Sequence, residues 1–348
     1  MELEKTTPSA FLIAAMATCL AVVLVLLALP HDRYIRFQQI AAESVHYLRI
    51  KWIYERIHFD REPIDIAFIG TSHTQSGIDE ARLESRLALN GSTAHVVNFA
   101  IPHLGRDIEF LVARELLENR PVKTLIIELQ ETESRAPHPG FQRLGSVTDI
   151  LSAPLLINTD LFTTLSHLPL RELQLAYASL FPASAGLQSA FLQDHYEGHH
   201  WNDTYQLHGI PKPRTSHPDP AVFSRQVSQL RAEQQEKENL ARHFDALPLG
   251  HNLLYRYNEI YLDKIVSLAH QHGAEVKFLY LPVFGATSPP RAYAHLGVAG
   301  ELLDPRTPLR SEALWLNGDH LNYYGANTLT DWVADQLSTK PTSAGNNL

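Results

Sequence analysis

Four short apolar runs, each bounded by polar or turn residues, constrain the fold of this 348-residue chain most strongly. They lie at residues 65–69, 94–99, 124–129 and 276–281. Continuous apolar runs of this length are typical of parallel strands that are covered on both faces. Helical patterns such as "DEARLESRLAL" and "RDIEFLVARELLEN" separate them. This alternation predicts an α/β fold with a doubly wound, mostly parallel sheet between two layers of helices.

The segment at residues 10–30, "AFLIAAMATCLAVVLVLLALP", carries no charged residue. As a helix it is long enough to cross the roughly 30 Å hydrocarbon core of a bilayer. A cleaved signal peptide would have a shorter apolar run and a small-x-small cleavage site, so we interpret the segment as a retained transmembrane anchor after a cytoplasmic N-terminus at 1–9. Several basic residues follow the anchor, which by the positive-inside rule would keep the main domain cytoplasmic, although long C-terminal domains are translocated despite such charges.

The rest of the chain divides into four predicted parts. Residues 31–60 have helical periodicity and are predicted to form a helical stalk or a first packing helix, and residues 61–338 form the α/β domain. Inside that domain, residues 135–251 lack strand periodicity and are too long for a simple loop, which predicts a mostly helical insertion or a lid. One of its helices is predicted in "SRQVSQLRAEQQEKENLARHF". The polar tail at 339–348 has the composition of a disordered segment.

The composition excludes several classes of function. A formal charge of -9 gives no basic face for nucleic acid. The single cysteine, Cys19, lies in the apolar anchor, which excludes a disulfide framework and a thiolate metal site within one protomer. The three histidines of "HYEGHHWND" match no closed metal-site spacing, and Tyr196 and Trp201 of that stretch favour an aromatic lid over sugar rings. We therefore expect no metal and no cofactor.

Two polar stretches could carry chemistry. Ser72 lies in "GTSHT", where the first predicted strand ends, so it is either a capping serine or a nucleophile presented near helix N-terminal amides. His320 lies in "NGDHLNYYGA", from which a doubly wound sheet can bring it back beside the first strand. His73 follows the serine and is either a solvent-side turn residue or a contact for the acyl acceptor.

Together, "GTSHT" and "DHLNYYGA" resemble the two terminal motifs of the SGNH (GDSL-like) hydrolase superfamily, in particular its membrane-associated branch that handles O-acetyl groups on polysaccharides. The resemblance covers the α/β core and the two motifs but not the insertion. It implies that Ser72 is the nucleophile and His320 the general base. The family's acidic residue normally lies three positions before the histidine, where this chain has Asn317, so either Asp319 or Asn317 would orient the imidazole.

The resemblance also implies an oxyanion hole made by the Ser72 amide, by Gly105 and by an asparagine after the third strand, for which this chain offers only Gln130. The implied protein is a single-pass inner-membrane enzyme whose periplasmic domain is an O-acetyltransferase or acetylesterase. Its expected partners are a polysaccharide, bound by His73, Tyr196 and Trp201, and a membrane protein that donates the acyl group.

The departures from the family pattern leave two further hypotheses. Asn317 replaces the usual acid and no asparagine follows the third strand, which would fit a catalytically inactive scaffold or glycan-binding protein of a polysaccharide assembly complex. The basic residues after the anchor would fit a cytoplasmic-facing lipid esterase.

Overall fold

The protein has an α/β fold around one five-stranded sheet. The computed structural model describes residues 8–131, 137–154, 158, 160–250, 255–287, 289–296 and 299–338. The strands are β1 (Ile66–Ile69), β2 (Val96–Asn98), β3 (Thr124–Leu129), β4 (Glu275–Tyr280) and β5 (Glu301–Leu303). All neighbouring strands are parallel, in the order β2-β1-β3-β4-β5. This is a doubly wound order, in which ligands bind beyond the carboxyl ends of β1 and β3.

Helices precede, connect and follow the strands. In chain order they are α1 (Pro8–Leu27), α2 (Arg33–Glu43), α3 (Leu48–His58), α4 (Ser72–Gly77), α5 (Glu80–Leu89), α6 (Arg106–Asn119), α7 (Phe141–Leu144), α8 (Val147–Leu151), α9 (Leu161–Leu180), α10 (Pro220–Asp245), α11 (Arg256–Gln271), α12 (Arg291–Leu296) and α13 (Tyr323–Ser338). Short 3₁₀ turns lie at Val45–Tyr47, Pro182–Ala185, Gln193–His195 and Glu312–Leu314. The α/β alternation predicted from the sequence is therefore present.

Two hydrophobic cores lie on opposite faces of the sheet because successive strand residues point to opposite sides. Ala67 and Ile69 of β1 face the core that α3, α6 and α11 cover. Ile66 and Phe68 face the other core, which α5, α13 and the start of α10 cover. The central strands are thus buried on both faces, as their apolar runs predicted.

Helix α1 is the most apolar segment of the protein. Ser9–Leu27 is long and apolar enough to cross a membrane, with a mean hydropathy of 2.9, and its side chains are not buried within the protein. The apolar segment predicted at 10–30 therefore forms one helix of spanning length. The predictions for residues 1–7 and for the tail at 339–348 lie outside the described residues.

Residues 31–60 do not stand apart as the predicted stalk. Trp52 and Ile53 of α3 are fully buried in the same core as β1, and Phe37 of α2 joins them. Arg49 and Arg56, also on α3, are buried as well and donate hydrogen bonds to backbone carbonyls. These two helices are therefore part of the α/β domain, which matches the alternative of a first packing helix.

Candidate active site

The serine and the histidine singled out in the sequence meet at the carboxyl end of β1. Ser72 is the first residue of α4, and Thr71 caps that helix by accepting a hydrogen bond from the backbone N–H of His73. The hydroxyl Oγ of Ser72 lies 2.9 Å from Nε2 of His320, which comes from the loop before α13. Residues 248 positions apart are thus within direct hydrogen-bond reach, the distance that a nucleophile and its general base require.

Asp319 is the residue that contacts the other nitrogen of His320. Its Oδ1 lies 2.8 Å from His320 Nδ1. Asn317 instead uses its side-chain oxygen to accept the backbone N–H groups of His320 and Asp319, at 2.7 and 3.2 Å. Of the two alternatives open in the sequence, Asp319 therefore occupies the position of the orienting acid, and Asn317 shapes the loop that carries it.

The electrostatics of this pair suit proton transfer. Burial lowers the pKa of His320, and the hydrogen bond with Asp319 offsets this only in part. Burial would raise the pKa of Asp319, but the hydrogen bond with His320 and the nearby imidazole of His73 outweigh it and hold that pKa well below its usual range. At neutral pH the imidazole is thus uncharged and able to accept a proton, while the carboxylate is charged and able to stabilise the imidazolium that forms.

His73 lies on the far side of Asp319 from the Ser72 hydroxyl. Its Nε2 is 4.0 Å from Asp319 Oδ2, its Nδ1 is 3.8 Å from Glu128 Oε1, and its ring stands edge-on to that of His320 with centroids 4.8 Å apart. Burial opposes protonation, yet the two carboxylates raise the pKa of His73. His73 also lines a cavity of about 480 Å³ beside Leu281, so it is not a solvent-side turn residue.

A buried carboxylate holds the nucleophile turn in place. Glu128, at the end of β3, is 1% exposed and accepts hydrogen bonds from the backbone and hydroxyl of Thr71, at 2.8 Å each, and from those of Thr74, at 3.1 and 2.6 Å. Although burial opposes it, His73 and these donors lower the pKa of Glu128. A Cβ at Gly70 would lie 2.6 Å from Glu128, so glycine permits this close approach. A charged residue in the otherwise apolar "TLIIELQ" was the signal for this role, which the sequence reasoning missed.

The three residues predicted to form the oxyanion hole, Ser72, Gly105 and Gln130, have different surroundings in the structure. The backbone N–H of Ser72 has no hydrogen-bond partner within the described part of the chain, so it is available to an oxyanion. Gln130 donates to Glu128 at 2.8 Å and to Thr71 at 3.2 Å, which directs its amide behind the turn. Gly105 packs against His138, where an added Cβ would lie 2.3 Å from the His138 Cβ.

The loop that contains Gly105 reaches the site through other residues. Pro102 and His103 line the cavity beside Ser72. His103 has a φ of 72°, in the left-handed region that non-glycine residues rarely adopt and that concentrates at functional sites.

The cavity beside Ser72 and His320 has a volume of about 380 Å³, and its polar wall comes from α4, from the insertion and from the loop of His320, with Arg49 of α3. Arg214 is 7% exposed and donates from Nη2 to Ser76 Oγ at 2.9 Å and to the carbonyl of Leu321 at 2.7 Å. It thereby joins α4 to the loop that carries His320. Burial lowers the pKa of Arg214 to about 10, so it remains cationic at neutral pH, and no carboxylate of the described residues lies within ion-pair distance of it.

A second buried group organises the same wall. Asp203 accepts hydrogen bonds from Gln75 at 2.6 Å and from the indole of Trp201 at 3.1 Å, and it lies 2.8 Å from Nδ1 of His208. Gln75 belongs to α4, so this carboxylate ties the insertion to the nucleophile helix. Sequence reasoning missed Asp203, Gln75 and Arg214 because no local pattern marks a contact between segments more than 100 residues apart.

The two aromatic residues predicted to bind sugar have different positions. Trp201 lines the cavity but is only 6% exposed, and the ring of His208 covers it at a centroid distance of 4.0 Å. It forms a wall of the cavity. The hydroxyl of Tyr196 donates to Asp60 at 2.6 Å, and its ring packs on the core that α3 joins, so Tyr196 fastens the insertion to the domain.

The contacts of two histidines of the insertion, His195 and His200, lie in different places. His200 pairs with Glu84 at 3.2 Å and His195 with Gln188 at 2.7 Å, so they point to different partners. His73, Asp319 and His320 do offer ligand atoms within 4.8 Å of one another. The Asp319–His320 contact and the reach of His320 to Ser72 match the geometry of a Ser-His-Asp triad.

No known protein-family model matches this chain, and comparison with curated proteins gives no match. The chemistry of the site therefore has to be argued from the geometry of Ser72, His320 and Asp319 and from the position of these residues on the sheet.

Proposed function

We propose that this protein is a membrane-anchored serine acyl-ester enzyme of the SGNH type, an O-acetyltransferase or acetylesterase that acts on a polysaccharide. The observation that carries the proposal is the line of contacts from Ser72 Oγ to His320 Nε2 and from His320 Nδ1 to Asp319. Two further observations support substrate binding at this site. The three residues lie beyond β1, at the switch point of the sheet, and a cavity of about 380 Å³ lies beside them.

In the first half of the reaction, Ser72 Oγ attacks the carbonyl carbon of the acyl donor while His320 Nε2 takes the hydroxyl proton. Asp319 stabilises the resulting imidazolium, and the Ser72 amide donates to the oxyanion. The tetrahedral intermediate then breaks its bond to the leaving oxygen, which receives the proton from His320. The product is an acyl ester of Ser72.

In the second half, a hydroxyl group gives its proton to His320 and attacks the Ser72 ester. The bond to Ser72 Oγ breaks and the proton returns to the serine, which restores the starting state. A sugar hydroxyl as the attacking group gives acetyl transfer to the polysaccharide, whereas water gives hydrolysis. The same residues serve both outcomes.

We propose that α1 anchors the protein in the inner membrane with the domain in the periplasm, where a membrane protein supplies the acyl group. The spanning length of Ser9–Leu27 supports the anchor. The periplasmic side follows from the resemblance to enzymes that modify exported polysaccharides, and a reporter fused to the C-terminus tests it.

The full chain, purified in detergent and given an aryl acetate, tests the enzyme proposal. We expect turnover that Ser72→Ala and His320→Ala abolish, because each removes one end of the 2.9 Å contact. Ser85→Ala, an exposed serine on α5, is the matched control and should keep full turnover. Equal turnover in the wild-type protein and Ser72→Ala would overturn the proposal.

The second candidate is an inactive scaffold within a polysaccharide assembly complex. It is favoured by Gln130, whose amide is held by Glu128 and Thr71 and so is directed away from an oxyanion at Ser72. Loss of one such donor costs about 100- to 1000-fold in rate. Cellular acetylation that survives Ser72→Ala but not deletion of the gene would support the scaffold and exclude the enzyme.

A further inference from the structure

Helix α9 turns an apolar face, interrupted by Ser166, away from the protein. We call this the outer face of α9; its exposed large side chains are Phe162, Leu170, Leu173, Tyr177, Leu180 and, directly after the helix, Phe181, with exposures from 46 to 84%. Their spacing places them on one side of the helix, because residues three, four, seven or eight apart share a face. The stripe is about 27 Å long at 1.5 Å per residue.

The outer face carries no charge. The only Asp, Glu, Lys or Arg residues in the α9 sequence are Arg171 and Glu172, and both are buried on the opposite side, where they pair with each other. The other exposed positions of the helix are Thr163, Ser166, His167 and Gln174. A soluble protein surface rarely keeps an apolar stripe of this size without a partner.

The end of the apolar helix α1 is fastened to α9. The backbone N–H of Asp32 donates to Ser179 Oγ at 2.8 Å, and His31 Nδ1 lies 3.1 Å from Glu172 Oε2. Helix α1 itself packs against α9. The C-terminal half of α9 is therefore held at the level where the apolar α1 ends, next to Leu173, Tyr177 and Leu180.

We propose that the outer face of α9 lies in the interfacial layer of the membrane that α1 enters, so that the domain docks on the lipid surface. Continuity with α1 identifies the occupant as lipid, since an apolar face fixed beside the end of a spanning helix meets the acyl chains first. Leucine and phenylalanine at the boundary of the acyl chains, with a tyrosine among them, are typical of interfacial helices. The proposal depends on anchoring by α1 but not on catalysis.

Docking through α9 gives the domain a fixed orientation. With α1 alone in the bilayer, α1 and the domain fastened to it could tilt together, whereas a second contact through α9 fixes that tilt. The cavity beside Ser72 would then face the membrane at a constant angle and height.

Site-directed fluorescence in the full chain tests the proposal. In a Cys19→Ser background, the environment-sensitive dye NBD is attached to Leu173→Cys or Leu180→Cys, and the protein is reconstituted in phosphatidylcholine–phosphatidylglycerol vesicles that contain spin-labelled lipid. Leu20→Cys in α1 is the positive control. Leu89→Cys is the matched negative control, because Leu89 is a 78% exposed leucine on α5. Far-UV circular dichroism confirms that each variant folds.

We expect blue-shifted, lipid-quenched emission at positions 173 and 180, as at position 20, and unquenched emission at position 89. Emission at 173 and 180 that matches position 89 would overturn the proposal. Disulfide cross-linking between copies at Leu173→Cys, together with protection from lipid quenching, would also overturn it, because a second copy of the chain would then cover the outer face of α9.

Discussion

The carboxylate of Asp319 lies 2.8 Å from Nδ1 of His320, the next residue in the chain. Consecutive side chains in extended backbone point to opposite sides, so this contact requires a bent loop. Asn317 supplies the bend by accepting the backbone N–H groups of both residues. This bend thus places the carboxylate of Asp319 against the histidine, while Asn317 holds the loop in shape.

Asp319→Asn is expected to lower kcat for an aryl acetate by about 10³- to 10⁴-fold, because the amide cannot hold the imidazole in the productive tautomer or stabilise its cation. Asn317→Asp keeps an oxygen that accepts the two backbone N–H groups, so it should retain most of the activity. Steady-state kinetics on both variants check this. A normal kcat in Asp319→Asn would contradict the account, because the imidazole would then not depend on the carboxylate of Asp319.

His73→Gln is expected to move the acidic limb of the pH profile of kcat/KM to higher pH. The positive charge of His73 helps to lower the pKa of His320, and the reaction needs the uncharged form of His320. In the wild-type protein the limb should therefore lie below about pH 6.5, the ordinary histidine value. Without the charge the pKa of His320 rises and the limb follows. His270→Gln, an exposed histidine on α11, is the control, and an unshifted limb in His73→Gln would contradict the account.

Glu128→Gln is expected to lower the free energy of unfolding by about 2 kcal/mol or more, because the new amide N–H₂ group faces donors from Thr71 and Thr74 and leaves them without an acceptor. The folded-state pKa of Glu128 is lowered, so its contribution is complete above the unfolded value of about 4.3 and is lost as the pH falls through the folded-state pKa. The difference in the free energy of unfolding between the wild-type protein and Glu128→Gln should therefore become smaller as the pH falls. Urea denaturation at several pH values measures it, with exposed Glu118→Gln as the control.

Arg214→Met is expected to lower kcat/KM by about 10- to 100-fold, because Arg214 joins Ser76 of α4 to the carbonyl next to His320 and a small displacement of either element is costly. Arg214→Lys retains the charge but cannot reproduce the fork geometry, so it should recover only part of the loss. Arg225→Met, an exposed arginine on α10, should behave as wild type. Full activity in Arg214→Met would show that the bridge does not position the site.

The parts of the fold that were predictable are those encoded locally. Strands β1 to β4 lie at the four apolar runs that were predicted, whereas β5 (Glu301–Leu303) lies in no such run and escaped notice. For residues 31–60 the sequence left a stalk and a first packing helix open, because the periodicity is the same for a free and a packed helix. The buried arginines of α3, Arg49 and Arg56, look solvent-exposed in the sequence, and their partners include the distant backbone carbonyls of Trp201 and His199.

In the candidate active site, too, only the locally encoded features could be predicted from the sequence. Ser72 and His320 could be proposed because each lies in a motif at the edge of a predicted element. Asp319 could not be separated from Asn317, since the choice depends on a loop bend that two backbone hydrogen bonds create. Glu128, Asp203 and Arg214 contact residues that are far away in the sequence. The side chain of Gln130 donates a hydrogen bond to Glu128 and that of Tyr196 donates one to Asp60, and neither partner was apparent from the sequence.

The most direct test of the account is the mass of the full chain after rapid acid quenching of its reaction with an aryl acetate, followed by peptide mapping. We predict one added acetyl group on the peptide that contains Ser72, absent in Ser72→Ala and strongly reduced in His320→Ala. Turnover of the ester with Ser72 unmodified and the acetyl group on another residue, or no turnover and no acetyl group at all, would contradict the account.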